Sequence, residues 1–211
     1  MTVALGDMDP RRAALLVIDM QNAFCHPEGT LGISGVDTSD CAAAIAPISE
    51  LIAAATDADV PVIWTFQEHL PDDRWRARRE LPAHTAKRAR VAALAGTWDA
   101  ELVEELAPLA KDPSLVIRKH RFGAFYQTRL ELLLRMLGRT ALIVTGVTAN
   151  ACIETTMREA YLRDYDVVAV FDAIGGIDER WKTLASEVWA QYMGIVVTSK
   201  DAIAWLSAER R

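Results

Sequence analysis

The sequence predicts an α/β fold: a doubly wound, mostly parallel, six-stranded sheet with helices on both faces. Three observations lead there. Six apolar runs of strand length are continuous rather than alternating in polarity, as strands buried on both faces are. Segments of helical length, with apolar residues three and four apart, separate them. The two kinds of segment alternate along the chain, which is the signature of repeated βαβ units.

In order, "ALLVIDM" (14–20) reads as the first strand and "SDCAAAIAPISELIAAATDA" (39–58) as the first helix. "PVIWTF" (61–66) is the second strand. A polar insertion, residues 67–96, follows it, with two prolines and seven Lys or Arg between positions 74 and 90. An insertion of that length in a small domain reads as a solvated excursion, a lid or a subunit contact. "GTWDAELVEELAPLA" (96–110) has helical spacing and leads to the third strand, "SLVIRK" (114–119). "FYQTRLELLLRMLG" (125–138) predicts a helix stopped by Gly138, a residue suited to the left-handed helix end. "ALIVTG" (141–146) is the fourth strand and "NACIETTMREAYLRDY" (150–165) the helix after it, with 164–166 as a short return to "DVVAVF" (166–171). "DERWKTLASEVWAQYM" (178–193) and "GIVVTS" (194–199) complete the alternation.

At 211 residues and 51% apolar composition the chain suits one domain spanning 1–211 with that single insertion. A net charge of −6 argues against a general nucleic-acid or membrane-surface role. The stretch "AALLVI" (13–18) is far too short to span a bilayer, and "MTVALGDMDPRR" lacks the basic-then-apolar order of a signal peptide, so a cytoplasmic location is expected. Cys25, Cys41 and Cys152 form neither an even set nor a CxxC pair, which argues against a disulfide framework or zinc site. His26, His84 and His120 have no metal-ligand spacing, and no cofactor is expected.

Ligands of open α/β sheets bind beyond the carboxyl ends of the strands. Polar residues there are therefore candidates for chemistry, and three stand out: Asp19 closes "ALLVID", Lys119 closes "SLVIRK" and Cys152 lies just beyond "ALIVTGV". Singly they would read as a turn cap, a surface lysine and a small buried hydrophobe. Together they make a nucleophile with its supports. A helix N-terminus and a nearby lysine favour thiolate, a carboxylate can carry a proton to a leaving amine, and N–H groups of "VTANAC" can hold an oxyanion. Among weaker candidates for substrate contact, Phe24, Trp64, Phe122, Phe125 and Tyr126 flank these motifs, while Gln21, Gln67 and Asn150 are suited to orienting an amide or water. Cys25 and Cys41 read as structural.

"LLVIDMQNAF" (15–24), "IRKHRFGAF" (117–125) and "LIVTGVTANACIETTMREAYLRDYDVVAVFDA" (142–173) resemble the isochorismatase-like cysteine hydrolase superfamily, which includes nicotinamidases and carbamoyl and ureido hydrolases. The resemblance covers the chain in order, apart from 67–110. It implies a doubly wound α/β fold, a catalytic triad falling on Asp19, Lys119 and Cys152, and a non-proline cis peptide at Val147–Thr148 that lets the N–H groups of Thr148 and Cys152 form the oxyanion hole. Metal-binding nicotinamidases carry Asp-x-His after the second strand. This chain has "FQEH" (66–69), so His69 lacks that ligand set and no metal is expected. Siderophore-type isochorismatases generally lack the cysteine, so Cys152 favours C–N hydrolysis. In "KHRFGAFYQT" Arg121 is placed either to address a substrate carboxylate or to pair on the sheet rim.

The expectation is a cysteine-dependent amidohydrolase acting on a small amide, carbamoyl or ureido substrate through a thioester. The resemblance and the basic insertion lead us to expect a homo-oligomer, dimer or tetramer, with no nucleic-acid or membrane partner. Two alternatives stay open: an isochorismatase-type hydrolase without covalent catalysis, and a non-catalytic binding module on the same fold, docking through 74–90.

Overall fold

The computed structural model describes residues 4–71 and 88–208. His84 and most of the basic 74–90 segment lie outside the described residues. Six strands, β1 (Ala13–Ile18), β2 (Val62–Gln67), β3 (Val116–Lys119), β4 (Ala141–Val147), β5 (Asp166–Gly175) and β6 (Ile195–Val197), form one sheet in the order β3-β2-β1-β4-β5-β6. Every neighbouring pair is parallel. The expected mostly parallel, doubly wound sheet is therefore present in all-parallel form, and the winding reverses between β1 and β4.

The continuous apolar runs work because both sheet faces are covered. Successive side chains on a strand point to opposite faces. Leu15 and Val17 of β1 join Ile48, Leu51, Trp205 and Leu206 in one core layer. Leu16 and Ile18 join Leu130, Leu134, Ile153, Met157 and Trp189 in the other. The first layer packs under α3 (Ser39–Ala43), α4 (Ile45–Asp57) and α8 (Ser199–Ser207), the second under α5 (Leu130–Met136), α6 (Glu154–Tyr161) and α7 (Glu179–Tyr192). Helix α4 shows how the spacing acts: Ile48, Leu51, Ile52 and Ala55 are its buried residues, one stripe at three- and four-residue intervals. Each large aliphatic so buried contributes about 1.5–3 kcal/mol of transfer free energy.

The ends of the helices follow local chemistry. Gly138, with φ 65°, ends α5, and Gly138 N–H and Arg139 N–H return to Arg135 O and Leu134 O. Asp164, with φ 61°, makes the tight return into β5. Asp178 caps α7 by accepting from Arg180 N–H and Trp181 N–H. Two short helices after β1, α1 (Asn22–Cys25) and α2 (Thr30–Ile33), were not expected, and neither was α8. The signal for α8 is a capping box, Thr198 with Asp201, followed by buried Ala202, Trp205 and Leu206.

Residues 96–110 correct the expected helix. They form only single turns at Trp98–Ala100 and Ala107–Leu109. Tertiary hydrogen bonds replace the helical ones: Asn22 N–H donates to Glu101 O, Val103 N–H to Met20 O, and the Gln21 side-chain amide to Ala100 O. Asp99 is buried and accepts from Thr30 N–H, Thr30 Oγ1, Ala93 N–H and Arg90. A carboxylate satisfied four times over anchors this segment and outweighs its modest helical propensity.

Candidate active site

Lys119 ends β3 and Asp19 follows β1, two strands away across about 10 Å of sheet, while Cys152 follows β4 on the other side of β1. The extended lysine side chain bridges the gap. Lys119 Nζ lies 2.6 Å from Asp19 Oδ2 and 3.4 Å from Cys152 Sγ. It also donates to Gln67 Oε1 (2.9 Å) and to Arg121 O (3.1 Å). Gln67 faces Lys119 in the β2–β3 register, so the sheet itself sets that contact.

Asp19 is held at φ 53°, a left-handed conformation that a short polar side chain tolerates, and Thr65 Oγ1 donates to its Oδ1 at 2.6 Å. Gly146 lets β4 pass β1 at close range. A Cβ there would sit 2.1 Å from Ile18 O. The Val147–Thr148 peptide is cis, and the chain then enters a π-helical turn, Ala149–Ile153, that carries Cys152 and runs into α6.

A chain of hydrogen bonds supports the lysine from behind. Gln67 N–H donates to Gln21 Oε1, and the Gln21 amide returns to Gln67 O, which fixes the Gln67 backbone. His69 Nδ1 contacts Ala92 O at 2.6 Å and its Nε2 contacts Gln67 Nε2 at 3.2 Å. A carbonyl only accepts, so Nδ1 carries the proton and Nε2 accepts from the Gln67 amide. Gln67 Oε1 is thereby turned toward Lys119. Among the described residues no group of three or more His, Cys, Asp and Glu side chains is placed to hold a metal ion.

Burial and charge oppose each other here. Burial pushes the Cys152 thiol up, and the Lys119 ammonium offsets only part of this, leaving the thiol at about 12. Burial alone would lower Lys119, but the Asp19 carboxylate and Cys152 outweigh it and hold the ammonium above its ordinary value. The resting site is thus a thiol beside an ion pair. The expectation that helix terminus and lysine would favour thiolate is revised by burial. Alkylation of Cys152 by iodoacetamide is accordingly expected to accelerate about tenfold per pH unit between about pH 7 and 10, following the thiolate fraction. A plateau reached below about pH 9, measured by intact mass, would contradict this.

Cys152 opens into a cavity of about 500 Å³, the size of a small-molecule site. Of the candidates named from sequence, Phe24, Gln67, Phe122, Thr148 and Asn150 line it with Cys152. Others require correction. Trp64 points to the opposite sheet face, into the layer under α4 and α8, because its strand position shares parity with Val17. Phe125 is buried against Tyr165 with the Arg163 guanidinium over its ring. The Arg121 side chain donates to His120 O, and it is the Arg121 backbone carbonyl that meets Lys119. Gln21 serves Gln67, and Tyr126 is half exposed away from the cavity. Leu31, Arg88, Ile177 and Trp181 also line the cavity and were not singled out. Arg88 stood in the sequence only as one of a basic run, and Ile177 and Trp181 carry no local signal, since they arrive from the β5–α7 connection and the first turn of α7. Cys25 and Cys41 are buried elsewhere, Cys41 Sγ against Gly176 O.

The fold is thus a doubly wound all-parallel sheet with cysteine, lysine and aspartate side chains brought together at its switch point, where ligands of such sheets bind. The Isochorismatase domain model matches residues 13–201, and the chain belongs to that family, within the isochorismatase-like cysteine hydrolase superfamily. It is 34% identical to ureidoacrylate amidohydrolase RutB of Methylobacterium radiotolerans, over 79% of this chain and 68% of that one. Among solved structures, it is similar to a cysteine hydrolase from Pseudomonas syringae pv. phaseolicola (28% identity, TM-score 0.82, 95% of each chain). It is also similar to N-carbamoylsarcosine amidase from Thermoplasma acidophilum (26% identity, TM-score 0.70, 89% of this chain and 96% of that one). No helix among the described residues is long and apolar enough to cross a membrane.

Proposed function

We propose that this protein hydrolyses the C–N bond of a small amide, carbamoyl or ureido compound through a thioester on Cys152. The observation that carries this reading is the buried contact of Lys119 Nζ with both Asp19 Oδ2 and Cys152 Sγ at the wall of a small-molecule cavity. The amidohydrolase and amidase among its relatives support the same chemistry.

Asp19 takes the thiol proton as sulfur attacks the carbonyl carbon, so the costly free thiolate never accumulates. Lys119 stays protonated and holds carboxylate and sulfur in place. The N–H groups of Thr148 and Cys152 receive the oxyanion. Ala151 N–H and Ile153 N–H are already committed to Thr148 O. Collapse breaks the C–N bond, and the leaving amine or ammonia departs with the proton from Asp19. Water then adds to the thioester, gives a proton to Asp19, and the acid product leaves as the thiol is restored. Gln67 and His69 are positioning residues for the lysine.

The test is an ammonia assay over a panel of small amides, carbamoyl amino acids and ureido acids, with intact mass measured during turnover. Ammonia release accompanied by a quench-trapped adduct on Cys152 is expected. Turnover with no adduct under single-turnover conditions would remove the thioester, and no release from any panel member would remove the activity.

A further inference from the structure

Arg88 is half-buried at the wall of the Cys152 cavity. Its guanidinium is pulled below its ordinary pKa by burial alone, and no carboxylate acts on it among the described residues. Arg90, two positions on, shows what a committed arginine looks like in the same segment. It pairs with Asp99 at 2.8 Å and also donates to Thr30 Oγ1 and Glu28 O. Arg88 makes no such set.

The rest of the cavity sharpens the contrast. No Asp or Glu is among the described residues lining it, although the chain as a whole carries a net charge of −6. Much of the cavity wall is apolar, with Phe24, Leu31, Ala92, Ile177 and Trp181, and its other polar side chains, such as Gln67 and Asn150, carry no charge. A cation partly stripped of water, at a cavity with no carboxylate among the described residues that line it, is stabilised by an anion that arrives with the ligand. In such surroundings the pairing is stronger than at an open surface. A single planar fork matches a carboxylate, which takes two parallel N–H bonds from it.

We propose that Arg88 binds a carboxylate of the substrate, so that the compound hydrolysed is an amido or ureido acid whose anionic end lies remote from the scissile carbonyl. This rests on the Cys152 cavity being the site of amide hydrolysis. It also reassigns to Arg88 the carboxylate contact that the sequence offered to Arg121.

The test measures binding without turnover, in the Cys152→Ala protein, by calorimetry. Two matched pairs serve as probes: succinamate with succinamide, and ureidoacetate with its carboxamide. At least one acid is expected to bind about tenfold more tightly than its neutral partner. That ratio should collapse toward one with Arg88→Met and fall to an intermediate value with Arg88→Lys, which keeps the charge and loses the fork. Arg88→Lys also keeps the test standing should Arg88→Met fold poorly. Ratios near one for both pairs, no binding by any acid, or a preference untouched by either substitution would overturn the proposal. Because no bond is cleaved here, failure of amide hydrolysis appears separately, in the ammonia assay on the intact enzyme.

Discussion

Cys152→Ala is expected to abolish hydrolysis, by a factor of about 10⁴ or more, while leaving the melting temperature within a degree or two of the parent. The size follows from the chemistry, since removing the sulfur removes the attacking atom and the covalent intermediate together. The small effect on folding follows from the packing. Cys152 sits at the cavity wall with its side chain facing open space on one side. Its removal takes away the thiol's polar contacts with Lys119 and Asp19, and these two keep each other, with Gln67 and Arg121 O still accepting from the ammonium and Thr65 Oγ1 still donating to the carboxylate. Cys152→Ser should be nearly as inactive, since the hydroxyl is a far weaker nucleophile and the base beside it, Asp19, is only a carboxylate. Steady-state ammonia release beside a thermal melt decides it. Retention of most activity by either variant would rule out covalent catalysis by this residue.

Lys119→Met is expected to remove activity and also to destabilise the fold by about 3–5 kcal/mol. Both Lys119 and Asp19 are essentially inaccessible to solvent. Losing the ammonium leaves a buried carboxylate that keeps the Thr65 hydroxyl as a donor but has no cation beside it, and leaves Gln67 Oε1 without the donor it faces. For a chain of this size the melting temperature should fall by roughly 10 °C. Combining it with Asp19→Asn removes the uncompensated charge, so the double variant should recover part of that stability and none of the activity. Calorimetric melts of the two single variants and the double variant measure the coupling directly. A stable, active Lys119→Met protein would mean that the ion pair does neither job. Asp19→Asn alone is expected to bind substrate and not turn it over, and normal steady-state rates would remove it as the proton carrier.

The positions of Asp19, Lys119 and Cys152 were legible because each follows a continuous apolar run, and parallel strands bring their carboxyl ends to one rim. Their protonation was not legible. The helix terminus and the lysine both argue for thiolate, and only the depth of burial shows that desolvation wins. Trp64 and Phe125 show a second limit. When both sheet faces are apolar, a strand gives no sign of which parity faces the cavity, so Trp64 could be placed on β2 but not on a face. Phe125 belongs to a loop tied to α6 through Phe125 N–H on Glu159 and Ala124 N–H on Thr156, contacts far apart in sequence. The 96–110 segment makes the same point, because its helical spacing lost to hydrogen bonds with residues 20–22.

Sequence by itself determined the alternation of strands and helices, the parallel sheet and the three strand ends that meet, because periodicity, capping and chain length act locally and each leaves a mark in neighbouring residues. Only the tertiary structure decided which side chains enclose the cavity, that Arg88 rather than Arg121 faces it, and that the thiol rests protonated. Those outcomes depend on distances and desolvation between residues remote along the chain, and no local pattern encodes them.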